Sequence, residues 1–354
     1  MSWQPQPLPY IDDLETKTVL KKLALVNRAL AELKGLAQTM PQQDILINTL
    51  AIQEAKDSSE VENIVTTHDE IYKSTITADK YLSPATKEVR NYVEALKKGA
   101  NIVKEKKILS VNDIIKIQEV LENNKAGLRK LPGTTLKNDK TGEIVYQPPQ
   151  EATRIKELMQ NLEAYINDKS LSNYDPVLKM AIIHFQFESI HPFYDGNGRT
   201  GRIINILYLL LENLLDIPIL YLSRYIIANK QDYYKYLQDV RDSNNWEAWL
   251  LFMLQGVEET AYQTLEKVKQ IKVTMQDTKE VLRKNYKFYS HDLINHLFRQ
   301  PYTKIEFLKD ELHISRVTAA SYLNTLAEDG ILIKMKQGKF NYYINYRLVK
   351  LFTN

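Results

Sequence analysis

Apolar residues Val19, Leu23, Val26, Leu30 and Leu33 recur at steps of four and three, the spacing of one face of an amphipathic helix, and the Met40-Pro41 junction ends it. A second helical stretch is expected from Asp44 to about Lys56. It leads into SSEVENIVTTHDE, where Thr67-His68-Asp69-Glu70 has the form of a capping box opening a further helix. Helical spacing returns over 83–99, 110–122, 151–167 and 175–189, the last opened by Asp175 with Pro176 at the first helical position. Arg199 to Glu212, 229–242 and 245–284 follow, and the last is long enough to act as a connector. Between them, LPGTTLKNDKTGEIVYQPP at 131–149 breaks the pattern: β-branched and aromatic residues flank Asp139-Lys140-Thr141-Gly142, which predicts a β-hairpin.

Beyond Asn285 the order is helix (289–298), helix (304–311), a His313-Ile314 turn, and a helix over 315–329 capped by Ser315. Two strand-like runs, ILIKMK and FNYYINY, then surround Gln337-Gly338. That order predicts a winged helix-turn-helix. The fold expected is therefore mainly α, a helical domain with a β-hairpin flap followed by a C-terminal winged helix domain. The boundaries read as 1–100 for an N-terminal helical region, 101–284 for the central domain and 285–354 for the winged helix.

Composition narrows the classes. With 44% hydrophobic and 26% charged residues the chain reads as globular, and the lack of cysteine excludes disulfides, thiolate catalysis and thiolate metal sites. The longest apolar run, Ile203 to Leu211, is too short to span a bilayer and MSWQPQPLPYIDDLE has no secretory pattern, so a cytoplasmic protein with no membrane association is expected. The net charge of +3 is unevenly spread: from Asn285 onward ten Lys/Arg face six Asp/Glu, leaving +4 there and −1 elsewhere.

The densest chemistry lies in HPFYDGNGRTGR at 191–202, a loop running into a helix amino terminus. Gly196-Asn197-Gly198 can turn successive N–H groups toward one point, and the helix dipole behind them makes an anion site. Arg199 and Arg202, three apart, share a face toward that anion, and two guanidiniums with a glycine nest suit a polyphosphate. Asp195 would repel the anion unless a cation lay between them, the common way of holding Mg²⁺. His191, neutral near pH 7, is the available general base for a hydroxyl attacking phosphorus, while Pro192 and Phe193 fix the loop against the core.

The stretch resembles the signature of the Fic family, HxFx[DE]GNGRxxR, at every defined position. That resemblance implies an α-helical fold that transfers AMP from Mg-ATP to a hydroxyl of a target protein, self-modification included. Carried over by position, it makes His191 the base, Phe193 the loop anchor and Asp195 the Mg²⁺ ligand. Gly196, Asn197, Gly198, Arg199, Thr200, Gly201 and Arg202 form the ATP-binding set, with Asn197 and the loop amides on the α- and β-phosphates and the arginines on the β- and γ-phosphates. The hairpin at 131–149 sits where the family has its flap, which pairs with a target segment by strand addition, and Thr134 and Thr135 are the candidate flap residues. An ordinary surface hairpin would read the same way. NKQDYYKYL from Asn229 resembles the family's nucleobase-side helix and makes Tyr234 the candidate adenine or ribose contact.

Ser58-Ser59-Glu60-Val61-Glu62-Asn63 fits the family's inhibitory pattern [ST]xxxE[GN], here amino-terminal to the loop. The resemblance implies that Ser58, Glu62 and Asn63 form a brake in which Glu62 pairs with Arg202 and denies it to the γ-phosphate. Ser59-x-x-Glu62 reads equally as a helix-opening capping box.

In the basic tail, Arg316, Thr318, Ser321, Tyr322 and Asn324 are recognition-helix candidates for DNA, with Lys334, Lys336 and Lys339 on phosphates. Winged helices also bind proteins or pack within a homodimer. Two functions stay open: a Fic adenylyltransferase whose winged helix selects targets or aids assembly, and a DNA-binding regulator whose Fic domain senses nucleotide. The intact His191 favours the enzyme, since a sensor needs no base.

Overall fold

In the computed structural model, which describes residues 3–10, 13–74, 82–137, 141–299, 301–337 and 340–353, 68% of the chain is helical. Helix α1 (Lys17–Gln38) opens on the Thr16 hydroxyl, which accepts the Val19 N–H, and the predicted stripe Val19, Leu23, Val26, Leu30 and Leu33 is buried. It packs along α11 (Trp246–Asn285), the 40-residue connector. Helix α2 (Asp44–Val61) runs five residues past its expected end. Asp57, Ser58 and Ser59 read as a polar stop but are buried, and Lys56 bonds Glu60 one turn on at 2.8 Å.

The Thr67–Glu70 capping box forms as expected: the Glu70 N–H donates to the Thr67 hydroxyl and the Thr67 N–H to the Glu70 carboxylate, both at 3.2 Å, opening α3 (His68–Ser74). Next come α4 (Pro84–Lys106) and α5 (Val111–Glu122), capped by Ser83 and Ser110. The flap is β1 (Leu136–Lys137) antiparallel to β2 (Ile144–Tyr146), with Leu136 opposite Tyr146. Asp139 and Lys140 of its predicted turn lie outside the described residues.

After α6 (Ala152–Asn167) comes α7 (Pro176–Ile190), buried at every position from Val177 to Ile190. A helix buried all round lies at the centre of its domain. Helix α8 (Asn197–Leu211) packs back on it, starting two residues earlier than the apolar spacing predicts. Helix α9 (Ser223–Ala228), too short to leave a periodic signal, precedes α10 (Lys230–Ser243) and α11.

The C-terminal unit comprises α12 (His291–Arg299), β3 (Tyr302–Thr303), α13 (Ile305–Leu312), α14 (Arg316–Glu328), β4 (Ile333–Gln337), β5 (Phe340–Ile344) and α15 (Tyr346–Thr353), with antiparallel sheet order β3-β5-β4. Ser315 caps α14 as expected, accepting the Thr318 N–H at 3.0 Å. The unit docks on the N-terminal helices, where Tyr302 stacks on Tyr72 at 5.5 Å and donates its hydroxyl to Asp69 at 2.7 Å.

Several expected DNA contacts are engaged otherwise. Tyr322 turns inward and stacks on Phe288 at 4.2 Å, Arg316 pairs with Glu306, and Asn324 accepts from both Lys334 and Tyr343. Lys339 lies outside the described residues. Among the described residues no helix is long and apolar enough to cross a membrane.

Candidate active site

The loop between α7 and α8 is fixed from within. His191 ends α7 in left-handed backbone (φ +48°), its N–H donating to the Phe187 carbonyl at 2.9 Å, and Pro192 then bars a further helical turn. Phe193 is fully buried against Phe187. Gly196 starts α8 with φ +73°, a conformation that suits glycine. The Asn197 side chain brackets Phe193, accepting from its N–H and donating to its carbonyl, both at 2.8 Å. Its side-chain amide therefore holds the loop shape, while its backbone N–H lies at the amino terminus of α8.

Thr200, on the first turn of α8, is fully buried. A Cβ on Gly201 would come within 2.6 Å of Glu188 and 3.1 Å of Phe187, so this glycine permits close packing of α7 on α8.

The two arginines, expected to share one anion, are held by separate acids. Arg199 donates to Glu88 at 2.8 Å and to Glu122 at 2.9 Å, from α4 and α5. Arg202 donates through Nε to the Ser58 hydroxyl at 2.7 Å, and through Nη2 to the Ser58 carbonyl at 2.9 Å and Glu62 Oε1 at 2.7 Å. Burial works against its charge, yet Glu62 beside it holds its pKa above the ordinary arginine value. The Glu62 side chain keeps 34% exposure against 2% for Arg202, so the acid is the displaceable partner. A Cβ on Gly198 would strike the Glu62 carboxylate, so the glycine at this position is what lets the acid in.

The end of α2 explains the pattern around Glu62. Asn63 has φ +62°, its N–H bonds the Glu60 carbonyl, and the Ile64 N–H bonds the Ser59 carbonyl, both at 3.0 Å. This is a Schellman close, whose left-handed position favours Gly or Asn. The Asn63 side chain also accepts from Lys230 on α10 at 3.1 Å. Ser59 lies inside the helix and Glu62 at its C-terminal end, so the helix-opening capping box is not formed here.

His191 is driven down to about 3 by burial, and next by the positive charges of Arg129 and Arg241, so it is neutral near pH 7. Asp195 is exposed, and one of its oxygens accepts the Gly196 N–H at 2.7 Å. Among the described residues no three His, Cys, Asp or Glu are grouped to hold a metal ion. A single exposed carboxylate at an anion site fits a cation that arrives with phosphate oxygens.

Thr134 and Thr135 lie ahead of β1, outside the paired residues, and the Thr134 carbonyl accepts from Gln150 at 2.9 Å. Exposed Ile144 and Val145 on β2 are the flap's outward apolar residues. Tyr234 on α10 is 47% exposed and meets Tyr233 edge-on at 5.1 Å, while Tyr233 bonds buried His184 at 2.8 Å. Sequence reasoning missed Glu88, Glu122, Arg129 and Arg241. Each is a lone charge on a helix or loop with no spacing to mark it.

Residues 20–101 match the Fic/DOC family N-terminal model, 108–209 the Fic/DOC family model, and 274–348 the model of the protein adenylyltransferase SoFic-like C-terminal domain. The chain belongs to the Fic/DOC family. This Fic chain is 28% identical over 95 residues to protein adenylyltransferase fic-1 of Caenorhabditis elegans, covering 26% of this chain and 19% of that one. It is 45% identical over 47 residues to protein adenylyltransferase Fic of Drosophila melanogaster, covering 13% and 10%. The matched stretches thus span a fifth or less of those relatives. Among solved structures, a Fic family protein from Desulfovibrio desulfuricans superposes with a TM-score of 0.60 at 20% identity over 96% of this chain and 98% of its own. A Fic domain containing signaling protein from Bacteroides thetaiotaomicron does so at 0.56 and 16% identity, over 69% and 97%. The likeness to the first extends through the C-terminal unit.

Proposed function

We propose that this Fic chain is a protein adenylyltransferase, transferring AMP from Mg-ATP to a hydroxyl of a target protein, and that Glu62 holds it at rest. The observation that carries the reading is the Arg202 guanidinium, bound by Ser58 and Glu62 eleven residues beyond a neutral His191 in the same loop-helix unit. In the reaction His191 takes the proton of the target hydroxyl, whose oxygen attacks the α-phosphorus. The bond from that phosphorus to the bridging oxygen breaks and pyrophosphate leaves.

Arg202, once released by Glu62, meets the γ-phosphate and aligns the leaving group in line with the nucleophile. Asp195 holds Mg²⁺, which when bound neutralises phosphate charge. The Asn197 and Gly198 amides at the α8 amino terminus receive phosphate oxygens, the Gly196 N–H being engaged by Asp195, and Tyr234 flanks the nucleobase. The flap offers a strand edge to an extended target segment, with Ile144 and Val145 beside it.

The C-terminal unit reads as a winged helix, with α13 and α14 as the helix-turn-helix and β4–β5 as the wing. Engagement of Tyr322, Arg316, Asn324 and Lys334 within the unit favours a role in target selection or assembly over DNA regulation. The test incubates Glu62→Gly protein and lysate with Mg²⁺ and each labelled nucleoside triphosphate in turn, and identifies labelled proteins by mass. Label from α-labelled ATP, as an AMP adduct on a hydroxyl side chain, is expected. Absence of transfer from every nucleotide would overturn the reading in favour of a sensor.

A further inference from the structure

Arg129 precedes the flap by two residues and is only 1% exposed. Its Nε donates to the His191 carbonyl at 2.7 Å, and its Nη2 to the Pro149 carbonyl at 2.9 Å and the Ile190 carbonyl at 3.4 Å. Its backbone N–H donates to the Pro192 carbonyl at 2.8 Å. One side chain thus grips the residue that carries the base and the last residue of the flap. Among the described residues no carboxylate pairs with it. A buried guanidinium held only by carbonyls is costly to desolvate, so stability alone is a poor reason for it.

Two further ties bind the same pieces. The Tyr194 hydroxyl, from the loop, accepts the Lys130 and Leu131 N–H groups at 2.9 and 3.2 Å where the flap begins. The Tyr146 hydroxyl, from β2, donates to the Ser189 carbonyl at 2.8 Å in the last turn of α7. Flap and base loop are joined at the start, the returning strand and the exit, and Arg129 makes the one buried and charged joint.

We propose that Arg129 is a positioning residue that couples the flap to the His191 loop and so fixes the register in which an extended target segment presents its hydroxyl to the base. This rests on the adenylyl-transfer reading. An ångström-scale error between base and hydroxyl costs about 100-fold in rate, whereas the nucleotide contacts at the α8 amino terminus do not involve Arg129.

The test compares Arg129→Lys and Arg129→Met in full-length Glu62→Gly protein, measuring Mg-ATP affinity by calorimetry, transfer rate and its pH profile. Both variants are expected to keep ATP affinity within about twofold while transfer falls about 100-fold. Loss of the positive charge in Arg129→Met should raise the His191 pKa and move the acid limb of the profile upward, with the limb unmoved in Arg129→Lys. Unchanged transfer, or ATP affinity and transfer falling in the same proportion, overturns the proposal. If either variant does not fold, Tyr194→Phe carries the test: reduced transfer at unaltered ATP affinity supports the coupling and full transfer overturns it. A Glu62→Gly parent that transfers nothing removes the adenylyl-transfer reading instead. Hydrogen exchange of the flap amides then decides the coupling, faster over 141–149 in Arg129→Met if it holds and unchanged if it does not.

Discussion

Arg202 is a buried cation held by Ser58 and Glu62. In the proposed reaction a phosphate would take the place of Glu62. Removing Glu62 leaves a buried guanidinium with only the Ser58 oxygens, and breaking one partner of such a pair is destabilising. The Glu62 side chain is about one-third exposed, so the loss is tempered by solvent, to about 1–2 kcal/mol. Glu62→Gly is therefore expected to melt a few degrees lower than the parent without ligand and to gain more from Mg-ATP, since a ligand that binds the native state better stabilises it further. Thermal shift with and without Mg-ATP reads both. The same scale explains what could be read in advance. His191 through Arg202 sit in one run of twelve residues and announce one chemistry. The acids on Arg199 lie 111 and 77 positions away and look like solvated helix residues until the fold delivers them.

At the scale of elements, the proposed brake is a helix end. Glu62 reaches Arg202 because α2 continues to Val61 and stops there, and the stop depends on Asn63 in left-handed backbone. Asn63→Gly is expected to keep both stability and inhibition. Asn63→Val, which tolerates that backbone badly, is expected to cost about 1–2 kcal/mol, fray the last turn and raise transfer part of the way toward Glu62→Gly. The six-residue pattern was legible, but the length of α2 was not. Asp57, Ser58 and Ser59 are poor helix formers buried where α2 packs on α4 and α9, with Ser58 also bonded to Arg202 of α8, a tertiary override of local preference. The short elements α9, β3 and α15 escaped for a different reason, having too few residues or too little contrast to show a period.

Across the whole molecule, the core is built around α7, a helix apolar on every side that nonetheless buries His184 and Glu188. Burial drives His184 to about 3, His191 to about 3 and His68 to about 4, all below the 6.5 of an unfolded imidazole. Between those values the unfolded chain binds more protons than the folded one, so stability falls as pH drops from about 6.5. Asp113 and Glu311, held below the ordinary carboxylate range, push the same way at lower pH. Burial raises Glu54 and Glu188 to about 7, and their opposing cost grows as pH climbs from 4.5 to 7. The melting temperature is expected to peak near pH 6.5 and to fall steadily toward pH 4, which a calorimetric pH series measures. The broad division into helical body, flap and basic tail was visible in the chain, because periodicity and turn residues are local. The docking of Tyr302 on Tyr72 and Asp69 joins residues some 230 positions apart and leaves no local trace.

The central claim is that one carboxylate restrains a chain whose histidine is otherwise ready to act. The most direct measurement is the initial rate of AMP incorporation from α-labelled ATP with Mg²⁺, compared among the parent, Glu62→Gly, His191→Ala and the double variant. The account predicts at least about tenfold faster labelling for Glu62→Gly than for the parent, and none for either protein lacking His191. Equal rates for parent and Glu62→Gly, or persistent labelling of the double variant, would contradict it.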